Sequence, residues 1–164
     1  MIFAGLTLFA PITTYAASLT SEASVTIQAP LRIENISSLN FGTIAPDTIV
    51  SGSVKVHADS DNSATCDGAV DCIEGGYRAK FTLAGLAGQS VSIGLPMSIT
   101  MSNGVGDLIE VNQFEYDAPN MSSGNILLGA NGTADLGVGA TLDVQANQAV
   151  GTYTGTFVVT ASYE

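Results

Sequence analysis

The sequence predicts an all-β protein, an antiparallel β-sandwich of about seven to nine strands, on three observations. Apolar residues recur with a period of two in segment after segment. Turn-forming Gly, Pro, Asn and Asp separate those segments about every ten residues. No segment sustains the 3.6-residue apolar period of an amphipathic helix. The pattern is strongest in residues 150–163, V-G-T-Y-T-G-T-F-V-V-T-A-S-Y. There Tyr153, Phe157, Val159, Ala161 and Tyr163 share one side, and Thr152, Thr154, Thr156, Thr160 and Ser162 share the other. Such alternation in β-branched and aromatic types describes a strand with one core face and one wetter face. A core strand so near Glu164 is expected to have a free side that something must cover.

Taken in order, residues 1–16 are expected to be an export signal. An almost purely apolar run over residues 2–12 is followed by Thr14 and Ala16, small residues at the two positions signal peptidase reads. The run is too short to span a bilayer; a buried first strand is the alternative. Residues 17–28 form an arm or first strand, with Leu19, Ala23, Val25 and Ile27 on one face and Ser18, Thr20, Glu22, Ser24 and Thr26 on the other. Pro30 interrupts pairing there. Residues 29–164 are expected to make the sandwich.

Within it, Leu31, Ile33 and Ile36 lead to a turn at Ala45-Pro46-Asp47. The next strand carries Val54 and Val56 inward. Ala79, Phe81 and Leu83 alternate with Arg78, Lys80 and Thr82, and strands around Val91 and Ile93 and around Ile99 and Met101 follow. Asn103-Gly104 is a hairpin signal, as is Asn131-Gly132. Between them the apolar parity slips from Ile109 and Val111 to Phe114 and Tyr116, which predicts a β-bulge. Leu136, Val138, Leu142 and Val144 mark the penultimate strand. Phe41, Phe81, Tyr153 and Phe157 lie on apolar sides and are expected to be buried together.

Composition bounds the function. The chain of 164 residues suits one domain, and its 15 acidic against 4 basic residues give a net charge of −11. Such a chain repels nucleic acid and anionic lipid. Cys66 and Cys72, in a polar glycine-rich stretch, read as a disulfide that pins a loop in an oxidising compartment. A metal reading lacks partners, since the lone histidine is His57. Asp59-Ser60-Asp61-Asn62-Ser63 resembles half of a calcium loop but lacks its glycine and its closing glutamate. His57 near Asp59 and Asp61 has no Ser or Cys in a nucleophile-elbow context. Glu110, Glu115 and Asp117 alternate with apolar residues and read as a solvated strand face rather than an acid/base pair. No catalytic residue, metal site or cofactor is expected.

Two segments carry a resemblance. A-P-L-R-I at 29–33 with L-N-F-G-T-I-A-P at 39–46 resembles the opening of a bacterial secreted family, domain of unknown function 4402. G-A-T-L-D-V at 139–144, Asn147-Gln148 and G-T-Y-T-G-T-F at 151–157 resemble its close. The closing pattern is also similar to the last strand of spore-coat-U-type pilins, which assemble by the chaperone–usher route. The resemblance implies a pilin-like form of the immunoglobulin-like sandwich and carries no catalytic residues. It implies an exported protein of the periplasm, cell surface or fimbrium. Its partners would be like subunits joined head to tail, with a periplasmic chaperone and an outer-membrane usher. On this reading residues 17–28 are a donor strand that completes a neighbour. The alternatives are a monomeric surface module that binds carbohydrate or protein, and a hydrolase centred on His57. The first of them requires a complete sandwich with a concave aromatic pocket.

Overall fold

The computed structural model describes residues 19–62 and 64–164, so the expected export signal over residues 1–16 lies outside the described residues. The described residues form thirteen strands and no helix. They are β1 (Arg32–Ser37), β2 (Thr43–Pro46), β3 (Gly52–Val56), β4 (Ala64–Gly68), β5 (Val70–Glu74), β6 (Ala79–Ala84) and β7 (Ser90–Gly94). There follow β8 (Ser98–Ser102), β9 (Leu108–Asp117), β10 (Met121–Ser122), β11 (Asn125–Leu127), β12 (Thr133–Val144) and β13 (Thr160–Tyr163).

The long strand β12 joins the two halves of the protein. Leu136, Val138, Ala140, Leu142 and Val144 are all buried, as the period of two requires. One edge of β12 pairs with β6 over Thr133 to Val138 and then with β3 over Ala140 to Val144. The other edge pairs with β9. Gly139 makes the crossing possible, because a Cβ there would lie 2.2 Å from the carbonyl oxygen of Val56. With β1 outside β6, β4 outside β3 and β8 outside β9, this sheet has seven strands. A four-stranded sheet, ordered β10-β11-β7-β13, packs against its upper half, and the ribbon β2-β5 closes the lower half. "Upper" here means the end where β1 and β12 begin, beside the turn at residues 85–89.

The core accordingly has two clusters. The upper one gathers Phe81, Leu83, Val91, Ile126, Leu128 and Leu136; the lower one gathers Phe41, Val54, Val56, Val111, Leu142 and Val144. The four aromatic residues expected together are therefore divided. Phe81 is buried in the upper cluster with Phe157 half-buried against it, while Phe41 is buried in the lower cluster with Tyr153 half-buried against it.

The expected strand count was too small, because the cysteine-bearing stretch supplies two strands and β2, β10 and β11 are short. The expected parity slip is real. Gln113 takes a left-handed φ of 48°, and the ladder with β12 shifts register between Gly139 and Thr141. Asn103-Gly104 turns β8 into β9, with Gly104 at φ 80°. Asn131-Gly132 also makes a tight turn, but β11 pairs with β7 and β12 with other strands, so it joins two sheets rather than a hairpin. The largest correction concerns residues 150–163. They keep their alternation, yet a ladder forms only at β13, with an isolated bridge between Thr154 and Ser102. Among the described residues, the segment between has no strand on its far side to pair with.

Candidate functional site

That missing neighbour defines the site. β1 lies at the border of the large sheet, and residues 155–159 run antiparallel to it on the opposite side of a cleft. Among the described residues, the backbone of 155–159 makes no hydrogen bond to another main-chain group. The upper part of the cleft holds about 360 Å³ between Ile33, Asn35 and Leu39 on one wall and Gly155, Phe157 and Val159 on the other. Its floor is Phe81, Ile99, Met101 and Val111. The lower part, about 650 Å³, continues between residues 39–46 and residues 148–155. Phe41, Leu39, Met101 and Gly155 line both parts, so the two form one groove along the sandwich.

The walls are fixed by the residues that made the last segment look like a core strand. Phe157 meets Phe81 edge-on at 6.4 Å and Phe114 at 5.2 Å. The hydroxyl of Tyr153 donates to the Ala149 carbonyl at 2.8 Å and accepts from the Gln148 amide at 3.0 Å, which holds the 148–153 loop against the lower core. Gly155 is required on this wall, since a Cβ there would stand 2.7 Å from Cγ of Met101.

The arm stands apart from its own groove. Residues 19–30 form no strand, and all are exposed. Leu19 is 96% exposed, Val25 85% and Ile27 89%, with Ala23 exposed on the same alternating face. Apolar side chains so displayed are unfavourable in water. The root of the arm, by contrast, is held. Tyr163 donates its hydroxyl proton to the Ala29 carbonyl at 3.1 Å and accepts from the Leu86 amide at 2.8 Å, at the upper end.

The disulfide and the polar candidates lie elsewhere. Cys66 and Cys72 are bonded to each other, and they lie on β4 and β5. The bond thus ties the large sheet to the ribbon, with Cys66 packed against the lower core. On the outer face of the large sheet, Asp61 is bound by Arg78 at 2.9 Å and Lys80 at 2.7 Å. Hydrogen bonds from these two cations, Lys80 foremost, hold its carboxyl below the usual aspartate range. The second acid of the half calcium loop is thus already paired with two cations. His57 sits by Thr65 at 3.3 Å and Glu115 at 3.8 Å, and Glu115 also pairs with Lys55 at 2.9 Å. Among the described residues no group of three or more His, Cys, Asp or Glu is placed to hold a metal.

Sequence reasoning identified the arm and the last segment but not the groove, whose β1 wall carried only a short apolar pattern broken at Glu34 and Asn35. A family model, Domain of unknown function (DUF4402), matches residues 31–163. No curated protein and no solved structure matches the chain.

Proposed function

The chain belongs to the DUF4402 family, and on that premise we propose that it is an exported, non-enzymatic, pilin-like structural subunit of a bacterial surface fibre. In that fibre the arm of one copy fills the groove of the next. One observation carries the reading: among the described residues, an apolar groove bordered by unpaired backbone coexists with an exposed arm of the complementary pattern. A strand laid in the groove would pair with residues 155–159 and cover Phe157, Phe81 and Met101. Leu19, Val25 and Ile27 would each gain about 1.5–3 kcal/mol from burial. The family match begins at residue 31, which fits an arm that is an appendage to the domain. A fibre of this kind calls for a periplasmic chaperone to shield the groove and an outer-membrane usher to direct assembly.

The test is deletion of residues 17–23. The truncated protein should still bind a synthetic arm peptide but should no longer form multimers. The opposite result is a full-length protein that stays monomeric with its assembly partners present and is merely destabilised by the deletion. In that case the arm is an ordinary strand, and the reading as a carbohydrate- or protein-binding module takes its place.

A further inference from the structure

The lower end of the sandwich carries an apolar surface apart from the groove. Three loops meet there. The amide of Asn147 donates to the Asp47 carbonyl at 2.8 Å, the Gln148 side chain donates to the Leu108 carbonyl at 3.1 Å, and Gly151 lies against Asn103. These loops display Ile49 at 83% exposure and Val105 at 85%, with Val50 and Leu108 also exposed, next to Val150 at the lower mouth of the groove. The charged side chains among them are Asp47 and Asp107, and the four basic residues of the chain, Arg32, Lys55, Arg78 and Lys80, lie on other segments. An anionic lipid surface would be repelled by such a pole.

We infer that this lower pole is a second contact surface for a neighbouring copy of the chain, seating the upper pole from which that copy's arm departs. The inference rests on the donor-arm reading and follows from direction and length. Residues 155–159 run from the lower to the upper end, since Thr154 pairs at the lower end of β8 and Tyr163 pairs with Val91 at the upper end. Antiparallel pairing is the more stable arrangement per residue. An arm antiparallel to this segment has Leu19 uppermost and Ile27 at the lower mouth, so its own domain lies below. Eleven extended residues, 19–29, span about 36 Å, and the ten of the groove wall, 150–159, about 33 Å. An arm that fills the groove therefore has almost no slack. The clasp of Tyr163 on Ala29 keeps the arm root at the upper pole, so that pole must abut the neighbour's lower pole. The upper pole offers partly exposed Leu86 and Leu127 beside the clasp, apolar against apolar.

The experiment separates the pole from the groove. In the full chain, Ile49→Glu with Val105→Glu changes two side chains that lie outside the groove lining. Two measurements are made, both by sedimentation or fluorescence. One is binding of a labelled synthetic peptide of residues 19–29 at dilutions where the chain is monomeric; the other is the concentration at which multimers form. The expected result is peptide affinity within twofold of wild type, an unchanged melting temperature, and multimers only at concentrations at least tenfold higher. The milder pair Ile49→Ser with Val105→Ser should shift multimer formation the same way by a few-fold, which guards against a folding defect in the charged variant. If multimers form as in wild type while the peptide still binds, the pole contact is wrong and the donor-arm reading stands. If the variant loses the peptide, the pole is part of the groove and the inference of a second surface fails. If wild type never binds the peptide, the donor-arm reading fails, and this inference with it.

Discussion

Phe157 and Phe81 face each other across the upper core, but they do different work. Phe81 is 8% exposed, buried in the upper cluster at the groove floor, while Phe157 is half-buried and stands on the groove wall. Phe81→Ala should therefore cost about 3–5 kcal/mol of stability. Phe157→Ala should cost the isolated chain less, about 1–2 kcal/mol for a ring already half in water, and should weaken binding of an arm peptide. Equal losses in urea unfolding with unchanged peptide binding would place Phe157 in the closed core instead. A second residue, Asp47, fixes the lower pole. Its carboxylate accepts from the amides of Ile49 at 2.7 Å and Val50 at 2.9 Å, and these two bonds lower its pKa. A carboxyl whose folded pKa is depressed contributes in full above the unfolded value, near about 4, and the contribution is lost as pH falls through the lower folded value. The amide proton shifts of Ile49 and Val50 should then titrate together with a midpoint below the ordinary aspartate value. A midpoint at or above it would mean that the loop is not capped in this way.

Among the elements, the consecutive strands β4 and β5, which pair into different sheets, are the ones whose role changes most between sequence and structure. A disulfide on a surface loop could be reduced without consequence; here the bond bridges the large sheet and the ribbon over the lower core. Closing so short a ring stabilises by roughly 2 kcal/mol on chain entropy. Reduction should leave the upper half intact and raise amide exchange first in β2 and β5, beginning with Ile44 and its partner Cys72. Uniform exchange across both halves would show that the ribbon is not separately held. The strands were legible where alternation met burial. Val54, Val56, Leu136, Val138, Leu142 and Val144 all point inward as their spacing implied, and even the bulge at Gln113 was visible as a slip in parity. Partner choice was not legible, because it depends on residues far apart in the chain. The φ of Gly132 could be read from Asn131-Gly132, but not that β11 and β12 belong to different sheets. Likewise the alternation of 153–163 led to the expectation of a free side on the last strand, though not that, among the described residues, β1 forms the wall opposite 155–159. The groove is a missing strand, and a missing strand has no residues to read.

At the scale of the whole molecule, the proposed assembly sets apolar attraction against charge. Every copy carries −11, and the arm residues 19–30 contribute only Glu22 to it. A head-to-tail contact does not close on itself, so each added copy meets the accumulated charge of the growing end. At low ionic strength this repulsion reaches across a Debye length of about 30 Å at 0.01 M, about the length of the groove, and it shrinks to about 8 Å at 0.15 M. Multimer formation followed by light scattering should therefore speed up markedly as salt is raised through that range. Binding of the isolated arm peptide should change far less, since a single carboxylate is all that approaches. The contrast matters more than either rate. Apolar burial in the groove is common to both experiments, so a difference between them isolates the approach of one folded body to another. If the peptide shows the same salt dependence as the whole chain, the repulsion lies in the groove itself. If multimer formation slows with salt, opposite charges rather than the apolar poles hold the copies together, with Lys55, Arg78 and Lys80 on the outer face of the large sheet as the cations to replace.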